Sequence, residues 1–149
     1  MLPIADLQST KGQRQIVESL HDSGFAIVCG HDISATQLAA FYESWRHFFL
    51  ESNKAAFKAD PTTQAGYFSQ EDAETAKSAM TQDLKEYYQF WPGGRLPNSQ
   101  KLLTLQLYDL MYELATTVLT VLQDFSADVM WSRLMKPLPD CLSPSDTMI

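Results

Sequence analysis

From Leu103 to Phe125 the chain repeats apolar residues at the period of one helix face: Leu103, Leu107, Leu110, Met111, Leu114, Val118, Val121, Leu122 and Phe125. Steps of 3, 4 and 1 suit an α-helix and do not suit a strand. With Asn98 or Ser99 as a cap after Pro97, the helix predicted over 99–125 is about 40 Å long. An apolar stripe of that length has to be covered, so the chain must be organised around long helices.

A second helix is predicted from Ser34. Ser34 and Gln37 match the capping box, in which a serine hydroxyl and a glutamine side chain satisfy two orphan amide donors. Behind them Leu38, Phe41, Tyr42, Trp45, Phe48 and Phe49 form a wide, aromatic face. Asn53 to Lys58 reads as one more helical segment, stopped at Asp60-Pro61 because a residue before proline avoids the helical region.

Gln13 to Ser23 carries Ile16, Val17 and Leu20 on one side, and Gly24 follows where a helix end favours left-handed backbone. Leu2 to Leu7 is predicted as a short strand. Phe25-Ala26-Ile27-Val28-Cys29 is β-prone and apolar, and is predicted as a buried strand. Between about 60 and 97 the periodicity fades into a long polar connection holding the aromatic cluster Tyr87-Tyr88-Gln89-Phe90-Trp91. A short turn is expected over 127–136. The residues from Cys141 are Ser/Pro-rich and end on Thr147-Met148-Ile149, which is expected to start a strand. The expected fold class is α+β, mostly helical: two long helices plus short strands.

Composition narrows the function. The 149 residues amount to one ordinary domain. Eleven Lys and Arg against 18 Asp and Glu leave a net charge of −7, the wrong sign for neutralising a nucleic-acid backbone. No apolar run approaches the ~20 residues that cross a bilayer, so no membrane role is expected. The first residues carry neither a basic segment nor a continuous apolar one, as a secretory leader would. Two cysteines make no disulfide framework, and a cytoplasmic setting is expected.

No constellation of residues declares a chemistry. His21-Asp22 and His31-Asp32 are adjacent pairs, whose side chains diverge in regular structure. Glu43 and His47, four apart on a helix, read as a surface ion pair. His21 suits a helix C-terminus, and His31 suits a turn. No metal site is credible on these spacings. No nucleophile elbow and no phosphate loop is present, and Cys29 on a buried strand would be inert. Asp83, Lys85 and Glu86 form a charged knot that as a bare pattern is a solvated turn with an ion pair.

Several strings taken together resemble one family. Leu2-Pro3-Ile4-Ala5-Asp6-Leu7 is similar to the I-P-x-I-D-L opening of the isopenicillin N synthase-like, non-haem Fe(II)/2-oxoglutarate-dependent oxygenases. Gly24-Phe25-Ala26-Ile27-Val28 resembles their G-F strand, and Gly30-His31-Asp32-Ile33 stands where they carry N-H-G-I/V, with Asp32 replacing glycine. Trp45 to Lys54 resembles their F-F-x-L helix end, and Gly66-Tyr67-Phe68 their G-Y turn. Ala76-Lys77 followed by Asp83-Leu84-Lys85-Glu86-Tyr87-Tyr88 resembles a signature of bacterial members. The order and spacing of these strings give the set its specificity.

The resemblance implies that residues 1–136 are the helical N-terminal domain that flanks a double-stranded β-helix core, with a long loop at about 60–97. Residues 137–149 would be the lead-in to that core. In the family, iron is held by a later His-x-Asp and a distal His, and 2-oxoglutarate by a later Arg-x-Ser, none of which this sequence contains. The chain is therefore expected to be a part of such an oxygenase, inactive alone and holding neither cofactor. The alternative is a stand-alone interaction module with the same fold. By the same resemblance Gln64, Tyr67 and Phe68 would approach a small-molecule substrate once a core is present. Gly24, Phe25, His31, Asp83, Lys85 and Glu86 would be structural. The surface that relatives bury against the core would favour self-association or a protein partner.

Overall fold

The computed structural model describes residues 2–51, 53–72, 84–126 and 136–142. They build β1 (Ile4–Asp6), α1 (Thr10–Ser23), β2 (Ile27–Cys29), α2 (Ala35–Leu50), β3 (Gly66–Phe68), β4 (Tyr87–Gln89) and α3 (Asn98–Phe125). Short 3-10 turns occupy Lys54–Phe57, Gln70–Asp72 and Pro139–Cys141. The described residues divide into two compact units, one from the segments up to 35 and from 106 to 142, the other from 36 to 105.

The first unit holds a strand–helix–strand motif. β1 and β2 pair in parallel, Ile4 opposite Ile27 and Asp6 opposite Cys29. Helix α1 starts where Ser9, in extended backbone, accepts a hydrogen bond from the Gly12 amide at 3.0 Å. It ends at Gly24, whose φ of 76° lets its amide reach the Leu20 carbonyl. Ala5, Leu7, Ile16 and Val121 form an aliphatic core, joined by Leu20, Val28, Leu114 and Val118. α1 lies so close to β1 that a Cβ at Gly12 would stand 2.0 Å from the Asp6 carbonyl oxygen.

Among the described residues only one face of this sheet is covered. Ala5 is buried, whereas Ile4 and Ile27 are 67% and 47% exposed, and Phe25 beside them is 70% exposed. Cys29 is exposed as well, which corrects the expected buried strand. An apolar run shows that a strand wants cover on both faces, but a two-stranded sheet here covers one.

The second unit is aromatic. The face expected on α2 buries Trp45 and Phe48, with Phe41 and Phe49 packed beside them, while Tyr42 points outward. The Trp45 indole N–H donates to the Thr104 hydroxyl at 3.0 Å, which donates in turn to the Gln100 carbonyl at 2.8 Å. The Gln100 side-chain amide donates to the Ser44 carbonyl at 2.9 Å. Thr104 and Gln100 are both buried, and each donor group in this chain of contacts has a protein acceptor.

The stretch read as a long connection holds a second sheet. β3 and β4 pair antiparallel, with Tyr67 opposite Tyr88 and Phe68 opposite Tyr87. The alternation of a strand sends Tyr67 and Tyr88 to the Phe48 side and stacks Phe68 on Tyr87 at 4.7 Å on the other. Strands of three residues are too short to show a period of two in sequence. Of the expected turn over 127–136 and strand start at 147–149, only Lys136 is among the described residues.

Candidate functional site

The candidate site of the second unit starts from a charged knot inside the aromatic cluster. Lys54, in the turn that follows α2, donates to the Phe49 carbonyl at 2.8 Å and to Glu86 Oε2 at 2.7 Å. The Tyr67 hydroxyl donates to the same oxygen at 2.5 Å. The Lys54 and Glu86 side chains are only 19% and 26% exposed. Lys54 holds the Glu86 carboxyl below its ordinary range, with help from Tyr67. Burial first, and then Glu86, pushes the Tyr67 phenol up to about 12. At neutral pH the proton stays on Tyr67 and the charge on Glu86. The trio therefore clamps β3 and the approach to β4 onto the end of α2, rather than transferring protons.

This revises the bare reading of the 83–86 knot. Glu86 pairs with Lys54, 32 residues away, instead of forming a local solvated pair. Lys85 reaches over the Tyr87 ring at 5.8 Å. Asp83 lies outside the described residues, as do Ala76 and Lys77.

A tight turn leads into β3. Asp60 accepts hydrogen bonds from the Thr62 and Thr63 amides, both at 2.8 Å, and these bonds hold its carboxyl below the usual range. Gln64 sits at a φ of 58° and folds its side-chain amide back onto the Pro61 carbonyl at 2.9 Å. At Gly66 the backbone has a φ of 128°, and a Cβ would stand 2.8 Å from the Phe57 carbonyl oxygen, so only glycine fits. Of the residues expected near a substrate, Gln64 is thus exposed on the turn, Tyr67 is buried in the clamp, and Phe68 is stacked on Tyr87.

Beside this turn lies a cavity of about 630 Å³, within the range of small-molecule sites. Ala65 and Gly66 are buried in its lining, Phe57 and Trp91 are half-buried, and Lys58, Asp60 and Arg95 are exposed. Gln64, Tyr67 and Phe68 do not line it. The sequence pattern offers Trp91 only as a member of the aromatic cluster and leaves Arg95 unmarked. A glycine pair flanked by tryptophan and arginine was the available signal.

In the first unit, His31 is exposed and lines a smaller cavity of about 140 Å³ with Gln8, Asp32 and Glu113 among others. His21 contacts Asp22 at 2.9 Å on the surface. In the second unit, His47 pairs with Glu43 at 3.3 Å, the surface pair expected from their spacing. Among the described residues no three His, Cys, Asp or Glu side chains are grouped to hold a metal. A three-ligand iron site does not fit the donors described.

Residues 2–107 match the protein family described as non-haem dioxygenase in morphine synthesis, N-terminal. The chain belongs to this non-haem dioxygenase N-terminal family. Its fold is that of part of an oxygenase: the chain superposes on the 2.20 Å crystal structure of a "putative oxygenase" from Shewanella oneidensis, with a TM-score of 0.84 and 27% identity. That match covers 95% of this chain and 49% of the other, so the chain spans about half the length of its solved relative. No curated protein matches the chain. The α1 cap, the aromatic α2 and the Gly66-Tyr67 turn all fall within the residues that match the dioxygenase N-terminal family.

Proposed function

We propose that this dioxygenase N-terminal domain serves a non-haem Fe(II)/2-oxoglutarate-dependent oxygenase of the isopenicillin N synthase-like kind, acting on a small molecule. The observation that carries the reading is the likeness to an oxygenase over nearly all of this chain and half of that one. Hydroxylation, desaturation or ring closure is the reaction class that goes with it. In this reading the described residues support a catalytic core and do not bind iron or 2-oxoglutarate themselves, and the chain alone is inactive. A cytoplasmic setting agrees with two free, exposed cysteines. No helix among the described residues is long and apolar enough to cross a membrane.

The uncovered face of β1 and β2 is the surface proposed to meet that core. Ile4, Phe25 and Ile27 present apolar area that a monomer ordinarily hides. Calorimetric titration of the chain with Fe(II) and with 2-oxoglutarate under anaerobic conditions tests the reading. No stoichiometric heat is expected for either, and tight one-to-one binding of both would overturn the proposed inactivity.

The same exposed face favours a second reading, a stand-alone module that associates with itself. Light scattering across a concentration series separates the two. Dimers that dissociate when Phe25 is replaced by serine support the module, and a monomer at all concentrations supports the first reading.

A further inference from the structure

The cavity between the Gly66 turn and Arg95 has no role in the function proposed above, and its construction points to a ligand. Its charges are unevenly committed. Lys58 is paired with Asp72 at 3.0 Å, and Asp60 is engaged by the Thr62 and Thr63 amides of its own turn. Arg95 is placed differently. Its guanidinium carbon lies 4.8 Å from the centre of the Phe57 ring, and its carbonyl accepts a hydrogen bond from the Tyr88 hydroxyl at 2.6 Å. A ring face orients a guanidinium without neutralising it, and among the described residues no carboxylate lies within ion-pair distance of Arg95. The result is a held cation whose fork of donors is suited to a planar, two-oxygen acceptor.

The rest of the lining suits a flat apolar body. Trp91 lines the cavity together with Gly66, Gly93 and Gly94, which carry no side chain. A hydrogen bond from the Gly94 amide to the Trp91 carbonyl at 2.8 Å closes the Trp91–Gly94 turn. A Cβ at Gly94 would come within 3.6 Å of the Ala65 Cβ and narrow the space between those walls. Aromatic walls with one convergent charge are the usual make-up of a small-molecule pocket.

We propose that this cavity binds a small aromatic monocarboxylate, its carboxylate on the Arg95 guanidinium and its ring against Trp91. The site is separate from Gln64, Tyr67 and Phe68, and its test does not depend on iron, 2-oxoglutarate or turnover.

Phenylacetate is the probe, titrated into the full chain while amide and indole N–H resonances are followed by NMR. Saturable shifts are expected at Ala65, Gly66, Gly94 and the Trp91 indole. Phenylacetamide, which keeps the ring and loses the charge, should bind about tenfold more weakly, as should phenylacetate to Arg95→Gln, the size of one charge-assisted hydrogen-bonded contact. Lys58→Gln should change the affinity by roughly twofold at most, because an exposed, already paired charge contributes little. Acetate, lacking the ring, should shift the same resonances only at much higher concentration. Equal affinities for the acid and the amide, an Arg95→Gln protein that binds as the wild type does, or no shift at these residues up to the solubility limit of the probe would each overturn the proposal.

Discussion

The two compact units solve the same packing problem with different materials. The first buries Ala5, Leu7, Ile16 and Val121, small aliphatic groups brought together by backbone that approaches very closely at Gly12. The second buries Trp45, Phe48 and Tyr67 amid Phe41, Phe49, Phe57 and Tyr88, rings that meet mostly edge to face. Rings bring polar edges with them, so the second core also contains the Trp45–Thr104–Gln100 chain and the Lys54–Glu86–Tyr67 clamp. An aliphatic core depends on how near two backbones come. An aromatic core depends on whether its embedded polar groups find partners.

The largest effect that tests this contrast should come from Phe48→Ala. Phe48 is almost fully buried and touches five other rings, so its loss should cost about 3–5 kcal/mol in urea denaturation. Gly12→Ala should follow at about 3 kcal/mol, from added volume rather than removed volume, because its Cβ would meet the Asp6 backbone. A near-neutral Gly12→Ala would show that close backbone approach does not hold the first unit. Thr104→Val keeps the shape but strands the Trp45 N–H in a buried place, and should cost about 1–3 kcal/mol. Together the three variants separate ring packing, backbone proximity and polar satisfaction.

What the sequence disclosed follows the same division. The 98–125 helix, the Gly24 cap and the Glu43–His47 pair are local patterns, read from residues within a few positions of one another. The clamp joins Lys54 to Glu86 across 32 residues, and β3 finds β4 with Tyr67 opposite Tyr88, so neither leaves a local trace. Arg95 shows the same difficulty in the candidate cavity: its meaning comes from Phe57 and Tyr88, which only the fold brings to it. The exposure of Phe25, Ile27 and Cys29 was illegible for the opposite reason. An apolar run announces that cover is wanted, but not whether the chain itself provides it.

The clamp makes the second unit sensitive to pH in a way the aliphatic core is not. Glu86 titrates lower in the folded chain than in the unfolded one, whose ordinary value is near 4.5. Its stabilisation is therefore complete above that value and disappears as pH falls through the lower, folded value. Tyr67 acts at the other end: its folded value of about 12 exceeds the ordinary 10.0, so stability should fall as pH rises between them. Glu86→Gln should cost about 1–2 kcal/mol at neutral pH and flatten the acid limb of the stability curve. An acid limb as steep in Glu86→Gln as in the wild type would assign it to other carboxylates.

The smallest expected effect is the most discriminating for the first unit. Phe25→Ser removes a large apolar side chain two residues ahead of the start of β2, a change that in a core would cost several kcal/mol. Here the ring is mostly in solvent, so the urea midpoint should move by less than about 0.5 kcal/mol equivalent. The backbone would hold its place regardless, because the Phe25 carbonyl accepts from the Ser19 hydroxyl at 2.7 Å and the Phe25 amide donates to Ser23. The outcome turns on the side chain alone. A cost above about 1 kcal/mol would mean that the ring is covered within the chain, and Phe25 would then add nothing to the apolar surface that Ile4 and Ile27 present.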